Sequence, residues 1–196
     1  MSEKTTEKNT KKNLQEELIL AGIEELNNNG FHNFSVRRIA SKCGVSCAAP
    51  YKHFKDKNQF IAEIINYINF IWAKRQLAIV KKYHGDMKTQ LVEISKDYIR
   101  FLVENPHFRS ILMMKDTEFD LEFDNMKAQM SKRVLKIINR FCKEAGIPEN
   151  VSRRKFCIIR ALTYGASLMF DNGEMEYNEE NLCIFSDAIL REFYLP

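Results

Sequence analysis

The sequence predicts an all-α protein of about nine helices, an N-terminal three-helix unit followed by a C-terminal helical bundle. Three observations carry that expectation. Apolar residues recur every three or four positions through most of the 196 residues. No stretch alternates with period two between hairpin signals. Stop and start signals at Asn29-Gly30, His84-Gly85, Asn105-Pro106 and Gly146-Ile147-Pro148 divide the chain into segments of helical length.

Taken in order, residues 1–12 are polar and are expected as a disordered tail. Leu14, Leu18, Ile19, Ala21, Gly22 and Leu26 then line one side of a first helix, which Gly30 closes at the C′ position. Ser35 caps a short second helix with Val36, Ile39 and Ala40 inward, Gly44 supplies the tight turn, and Ser46 is expected to cap a third helix. Phe31, Phe34, Val45, Tyr51 and Phe54 complete the apolar set for this small core. Asp56 as N-cap with Gln59 at N3 opens a long helix over 57–83, ending in cations as the helix dipole favours. At 1.5 Å per residue it is about 40 Å long. Such a helix outreaches a unit of residues 13–58, so it is the natural lever into residues 59–196. Further helices are expected over 87–104, from Pro106, and over 120–144, 151–171 and 179–193.

Charge points to a partner. The net charge is +4, and residues 1–58 hold ten Lys or Arg against seven Asp or Glu. Residues 35–57 hold six against one. A modest basic excess concentrated on a helix-turn-helix implies DNA, because such a unit lays its last helix in the major groove. On that helix Ser46, Cys47, Ala48 and Ala49 offer thymine-methyl contacts and no bidentate donors, so base readout falls to Arg37, Arg38 and Lys52. Pro50 lacks the N–H that would bond back to residue 46, which shortens or tightens the helix. Cys47 is read as an inert small residue, with a redox switch as the alternative.

The run S-V-x-x-I-A-x-x-x-G-V-S-x-x-x-x-Y-x-H-F-x-x-K, residues 35–57, resembles the DNA-binding domain of the TetR family of transcriptional regulators. The resemblance implies that Tyr51, His53 and Lys57 hold DNA phosphates, with Ser35 adding a backbone contact. A phenol, an imidazole and an ammonium all donate to phosphate oxygens. Within the family, Ala49-Pro50-Tyr51-Lys52-His53-Phe54 is similar to a subgroup with A-P-Y-[RK]-H-F in its recognition helix, and Tyr164-Gly165 stands where that subgroup has His-Gly.

The helix near 153–171 is apolar around most of its circumference, which implies a homodimer built on the last two helices, with Leu182, Phe185, Ala188 and Ile189 beside it. The C-terminal half is rich in Met and Phe. Phe101, Phe108, Met113, Phe123, Met126, Met130 and Tyr164 are the expected lining of a site for a small apolar or amphipathic effector, an expectation that rests on the resemblance. The regulator so implied is a repressor that such a ligand releases from a double-stranded operator. A constitutive or redox-responsive regulator is the alternative, and a non-DNA-binding interaction protein the less favoured one.

Other classes fare worse. Asp116, Asp120 and Asp124 suit a solvated helix face better than a catalytic site, so no enzyme is expected and no catalytic residue is assigned. Cys43, Cys47, Cys142, Cys157 and Cys183 are odd in number and hold no C-x-x-C pair, against a disulfide framework or a zinc site. No cofactor or metal is expected. The N-terminus does not look like a signal peptide and no apolar run is long enough to span a bilayer, so the expected location is the cytoplasm, away from membranes.

Overall fold

A computed structural model describes residues 3–113 and 121–194. Among them are eight α-helices and one 3₁₀ turn: α1 (Glu3–Asn29), α2 (Val36–Lys42), the 3₁₀ turn Pro50–Lys52, α3 (Lys57–Lys82), α4 (Met87–Glu104), α5 (Pro106–Met113), α6 (Leu121–Glu144), α7 (Glu149–Asp171) and α8 (Glu179–Arg191). The all-α expectation holds. No helix among the described residues is long and apolar enough to cross a membrane.

Outside the segment that follows Gly44, the boundaries follow the sequence signals closely, with one exception at the N-terminus. α1 ends where Gly30 takes a φ of 70°. Pro106 begins α5, and Asp86 caps α4 by accepting from the Thr89 N–H at 3.0 Å. At the start of α3, Asp56 accepts from the Gln59 N–H at 2.8 Å, and the Gln59 side chain reaches back to the Lys55 N–H. The exception is α1, which begins at Glu3, so residues 3–12, expected as a disordered tail, are helical. That stretch contains neither Gly nor Pro, and nothing in it breaks the helix ahead of Leu14.

The chain divides into two compact units, residues 1–70 with 107–127, and residues 71–106 with 128–196. The division falls inside α3 and not at residue 58. In the first unit Leu18, Leu26, Ile39, Phe54, Phe60, Ile61 and Ile64 are buried. The Phe54 ring stacks on Phe60 at 3.9 Å, and Phe34 meets Phe60 edge-on at 5.4 Å. α1 approaches α3 so closely at Gly22 that a Cβ there would lie 2.7 Å from Ile64 Cδ1. Residues 107–113 and 121–127 join this unit, where the Lys127 ammonium sits over the Phe31 ring and Asn69 donates to the Met126 carbonyl at 2.9 Å.

In the second unit α4 packs against α7 and α8. One cluster is Leu91, Ile138, Cys142, Ile159, Ile189 and Phe193, and another is Ile99, Ala166, Phe170 and Leu182. Lys155 is buried among them with its ammonium on the Glu192 carbonyl, a cation at the C-terminal end of α8 where the dipole favours one. Phe185, expected to face a second subunit, turns inward onto the Phe170 ring at 5.7 Å. The large apolar residues left exposed on α7 and α8 are Leu168 and Ile184. Helical spacing alone does not say which of two apolar stripes finds its core at home.

Candidate functional site

The helix-turn-helix is assembled around Glu25. Ser35 caps α2, its Oγ accepting from the Arg38 N–H at 3.3 Å, while the Glu25 carboxylate accepts from the Ser35 N–H at 3.1 Å. The same carboxylate accepts from Arg38 Nε at 2.9 Å and pairs with its Nη2, which also donates to the Asn33 carbonyl. Hydrogen bonding to Glu25 holds the Arg38 guanidinium above its ordinary pKa. Arg38, expected to read bases, is thus engaged in fastening α2 to α1. A carboxylate as sheltered as Glu25, 10% exposed, requires such a partner. Glu25 was missed because its partners lie 10 and 13 residues away, beyond any local spacing rule.

The turn itself follows the sequence. Gly44 adopts a φ of 68°, the left-handed region, and the Val45 N–H bonds to the Ala40 carbonyl at 3.0 Å. The segment after it departs from expectation. Residues 46–49 form a turn in place of a helix, with the Ala49 N–H on the Ser46 carbonyl at 2.9 Å, and the helical bonding that follows is the single 3₁₀ turn Pro50–Lys52. Pro50 is the cause. It is buried, it donates no hydrogen bond, and it starts the 3₁₀ turn at the position that tolerates proline.

Around this segment Ser46, Cys47, Ala48, Tyr51 and Lys52 are exposed, as is Arg37 on α2. Tyr51, expected to give its ring to the core, is 56% exposed. Ala49 and His53 are half-buried, and the His53 ring lies 6.1 Å from that of Phe54. Lys57 is half-buried and donates to the His32 carbonyl at 3.2 Å. Lys42 pairs with Glu24. Cys43 is half-buried against the Glu17 carbonyl, and burial pushes its thiol up. What remains outward is a short convex edge of small side chains flanked by a phenol, an ammonium and a guanidinium, groups that suit phosphates and thymine methyls.

A second candidate site lies within the second unit. Trp72 of α3, Ile94, Ser95 and Tyr98 of α4, Met130, Ser131 and Val134 of α6, and Ile159, Arg160, Thr163 and Tyr164 of α7 line a partly open cavity of about 30 Å³. That volume holds a water or two and no lipid chain. Trp72 donates its indole N–H to the Met130 carbonyl at 3.0 Å, and Gln76 donates to the same carbonyl at 3.2 Å. Of the seven residues expected to bind an effector, Met130 and Tyr164 line this cavity. Phe101 is buried core against the Trp72 ring at 5.3 Å. Phe108, Met113 and Met126 belong to the first unit, whereas the side chains of Phe123 and Asp124, and Asp116 and Asp120 altogether, lie outside the described residues. The polar wall, Tyr98 and Arg160 above all, was missed because an effector site was sought among Met and Phe alone.

Residues 18–64 match the model for bacterial regulatory proteins of the tetR family. An HTH-type transcriptional regulator of Staphylococcus aureus (strain bovine RF122 / ET3-1) is 33% identical over 79 residues, which are 39% of this chain, and the chain spans 40% of the length of that curated relative. The fold is similar over nearly the whole chain to a TetR family transcription regulator of Marinobacter aquaeolei VT8, with a TM-score of 0.77 at 15% identity over 96% of this chain and 97% of that one. It is similar too to the transcriptional regulator FadR of Bacillus subtilis in complex with stearoyl-CoA, with a TM-score of 0.68 at 17% identity over 90% and 96% of the two chains. Residues 18–64 thus match the TetR-family model, and the fold of the described residues is similar to that of solved TetR family regulators.

Proposed function

We propose that the protein is a homodimeric, DNA-binding transcriptional regulator of the cytoplasm, a repressor released from its operator by a small apolar or amphipathic ligand. The observation that carries the DNA reading is the capped, Gly44-turned helix-turn-helix, which leaves Arg37, Tyr51 and Lys52 exposed together with Ser46, Cys47 and Ala48. The segment Ala49-Pro50-Tyr51-Lys52-His53-Phe54 supports the finer placement in the A-P-Y-x-H-F subgroup. Exposed Leu168 and Ile184, with Cys157, Ala161 and Gly165 along the same side of α7, support the dimer.

Support for a ligand comes from the cavity under Trp72 and from the B. subtilis neighbour, which was solved with stearoyl-CoA. α3 contributes residues to both compact units, so it is the covalent route by which occupancy of the cavity reaches the DNA-binding unit. The small cavity volume favours a second reading, a constitutive regulator without an effector.

Selection from random duplex DNA with the full-length protein tests the primary claim. A palindromic consensus is expected, with half-sites about one helical turn or a multiple apart. Affinity should fall steeply with salt, and Lys57→Ala should weaken all duplexes alike while lowering the salt slope by about 1. Recovery of no sequence preference and no salt-dependent binding refutes the proposal.

A further inference from the structure

Most polar groups around the cavity are already spent on helix carbonyls. Ser95 donates to the Leu91 carbonyl at 2.7 Å, Thr163 to that of Arg160 at 3.0 Å, and Ser131 to that of Ala128 at 3.2 Å. Three donors are not. Arg160 Nη2 donates to the Tyr164 hydroxyl at 3.2 Å, and the Tyr98 hydroxyl points at the same oxygen from 3.4 Å. Tyr164 therefore accepts twice, and neither bond uses its own proton. The 3.4 Å separation is well beyond the 2.7–2.8 Å of a good hydroxyl bond, so an acceptor placed beside both hydroxyls would be bound better than the two phenols bind each other. Among the described residues no Asp or Glu lines the cavity. Burial raises the Tyr98 phenol well above its ordinary pKa, keeping it a protonated donor.

The Arg160 guanidinium sits over the Tyr164 ring at 5.3 Å and the Phe156 ring at 5.7 Å, which holds it beside the Tyr164 hydroxyl. Around this cluster the walls are apolar, formed by Trp72, Ile94, Met130, Val134 and Ile159. The cluster presents three donors and no carboxylate, and most of the wall beside it is apolar. Such a site suits an acceptor head joined to a hydrocarbon tail.

We propose that Tyr98, Tyr164 and Arg160 form the head-group subsite of the effector cavity and take the acyl oxygen of an amphiphile, a carboxylate or a thioester carbonyl. The inference rests on the effector reading above and names the chemistry of its ligand. The head takes the space beside the two hydroxyls, where one acceptor oxygen reaches both, and the tail runs along the apolar wall of Trp72, Met130 and Val134.

The test titrates the full-length protein with palmitate, palmitoyl-CoA and hexadecyltrimethylammonium, each below its micellar concentration, reading Trp72 fluorescence and operator affinity. One or both acyl compounds should bind at least about tenfold more tightly than the ammonium amphiphile, the factor expected when a charge-assisted hydrogen bond is present in one complex and absent in the other. Whichever acyl compound binds tighter identifies the head as acid or thioester. Tyr98→Phe and Tyr164→Phe keep the rings, and each should lose about tenfold in acyl affinity and nothing in ammonium affinity. Urea midpoints of both variants check that they fold. Equal or tighter binding of the ammonium compound, or unchanged acyl affinity in both folded variants, overturns the head-group assignment while leaving an effector site in place. If no compound changes Trp72 emission or operator affinity, the effector reading falls and takes this inference with it.

Discussion

Gly22→Ala should destabilise the protein although alanine is the better helix former, and Gly165→Ala should do the opposite. In a helix interior, replacing Gly by Ala gains about 1 kcal/mol. At Gly22 the new Cβ would lie 2.7 Å from Ile64 Cδ1 and 3.2 Å from Phe60 Cε2. Both neighbours are fully buried, so neither can swing away into solvent. Overpacking of that kind costs about 1–3 kcal/mol, so the net is a loss of about 0–2 kcal/mol. At Gly165, within α7, no heavy atom lies within 4 Å of the added Cβ, and the propensity gain of about 1 kcal/mol stands alone. The two variants should differ by about 2 kcal/mol, or roughly 4–8 °C in Tm for a chain of this length. Urea unfolding followed by circular dichroism and Trp72 emission reads the difference. Because Gly165 lies on the side of α7 proposed for the dimer, the comparison is made at two protein concentrations. Gly22→Ala as stable as Gly165→Ala would refute the tight α1–α3 approach.

Other expectations follow from single contacts. Arg38→Ala and Glu25→Gln should show the same loss of operator binding with unchanged base preference, because both unfasten α2 from α1; relaxed preference in Arg38→Ala alone would return that side chain to the groove. Asp86→Ala should cost about 1 kcal/mol through loss of the α4 cap. Hydrogen bonds from Thr89 hold the Asp86 carboxyl below its usual range, so its contribution is full above the ordinary carboxylate pKa and is lost as pH falls through the lowered one. Urea midpoints of wild type and Asp86→Ala should therefore converge in acid. Ile184→Asp should halve the mass seen by light scattering while Phe185→Asp should chiefly destabilise the fold; an unchanged mass for Ile184→Asp would move the interface elsewhere.

Much of this protein is determined by local sequence. The helix ends at Gly30, Asp86, Pro106 and Gly146 and the Ser35 cap depend on residues within a few positions of one another, and the structure contains them where spacing rules place them. The turn at Gly44 is equally local, as is the tightening imposed by Pro50, which the sequence signals and which goes far enough to leave a 3₁₀ turn. What tertiary structure decided was the pairing of groups distant along the chain. Arg38 reads as a free basic residue until Glu25, on another helix, claims it. Phe185 and Ile184 are adjacent and both apolar, and only the position of Phe170 determines which one packs against the core. Met and Phe content marks an apolar interior without saying where it is incompletely filled, since a cavity is a property of packing among four helices. Tyr98 and Tyr164 stand 66 residues apart, and their hydroxyls meet only because α4 packs on α7. Periodicity identifies the buried face of a helix, but which group it meets there depends on long-range packing that no local spacing encodes.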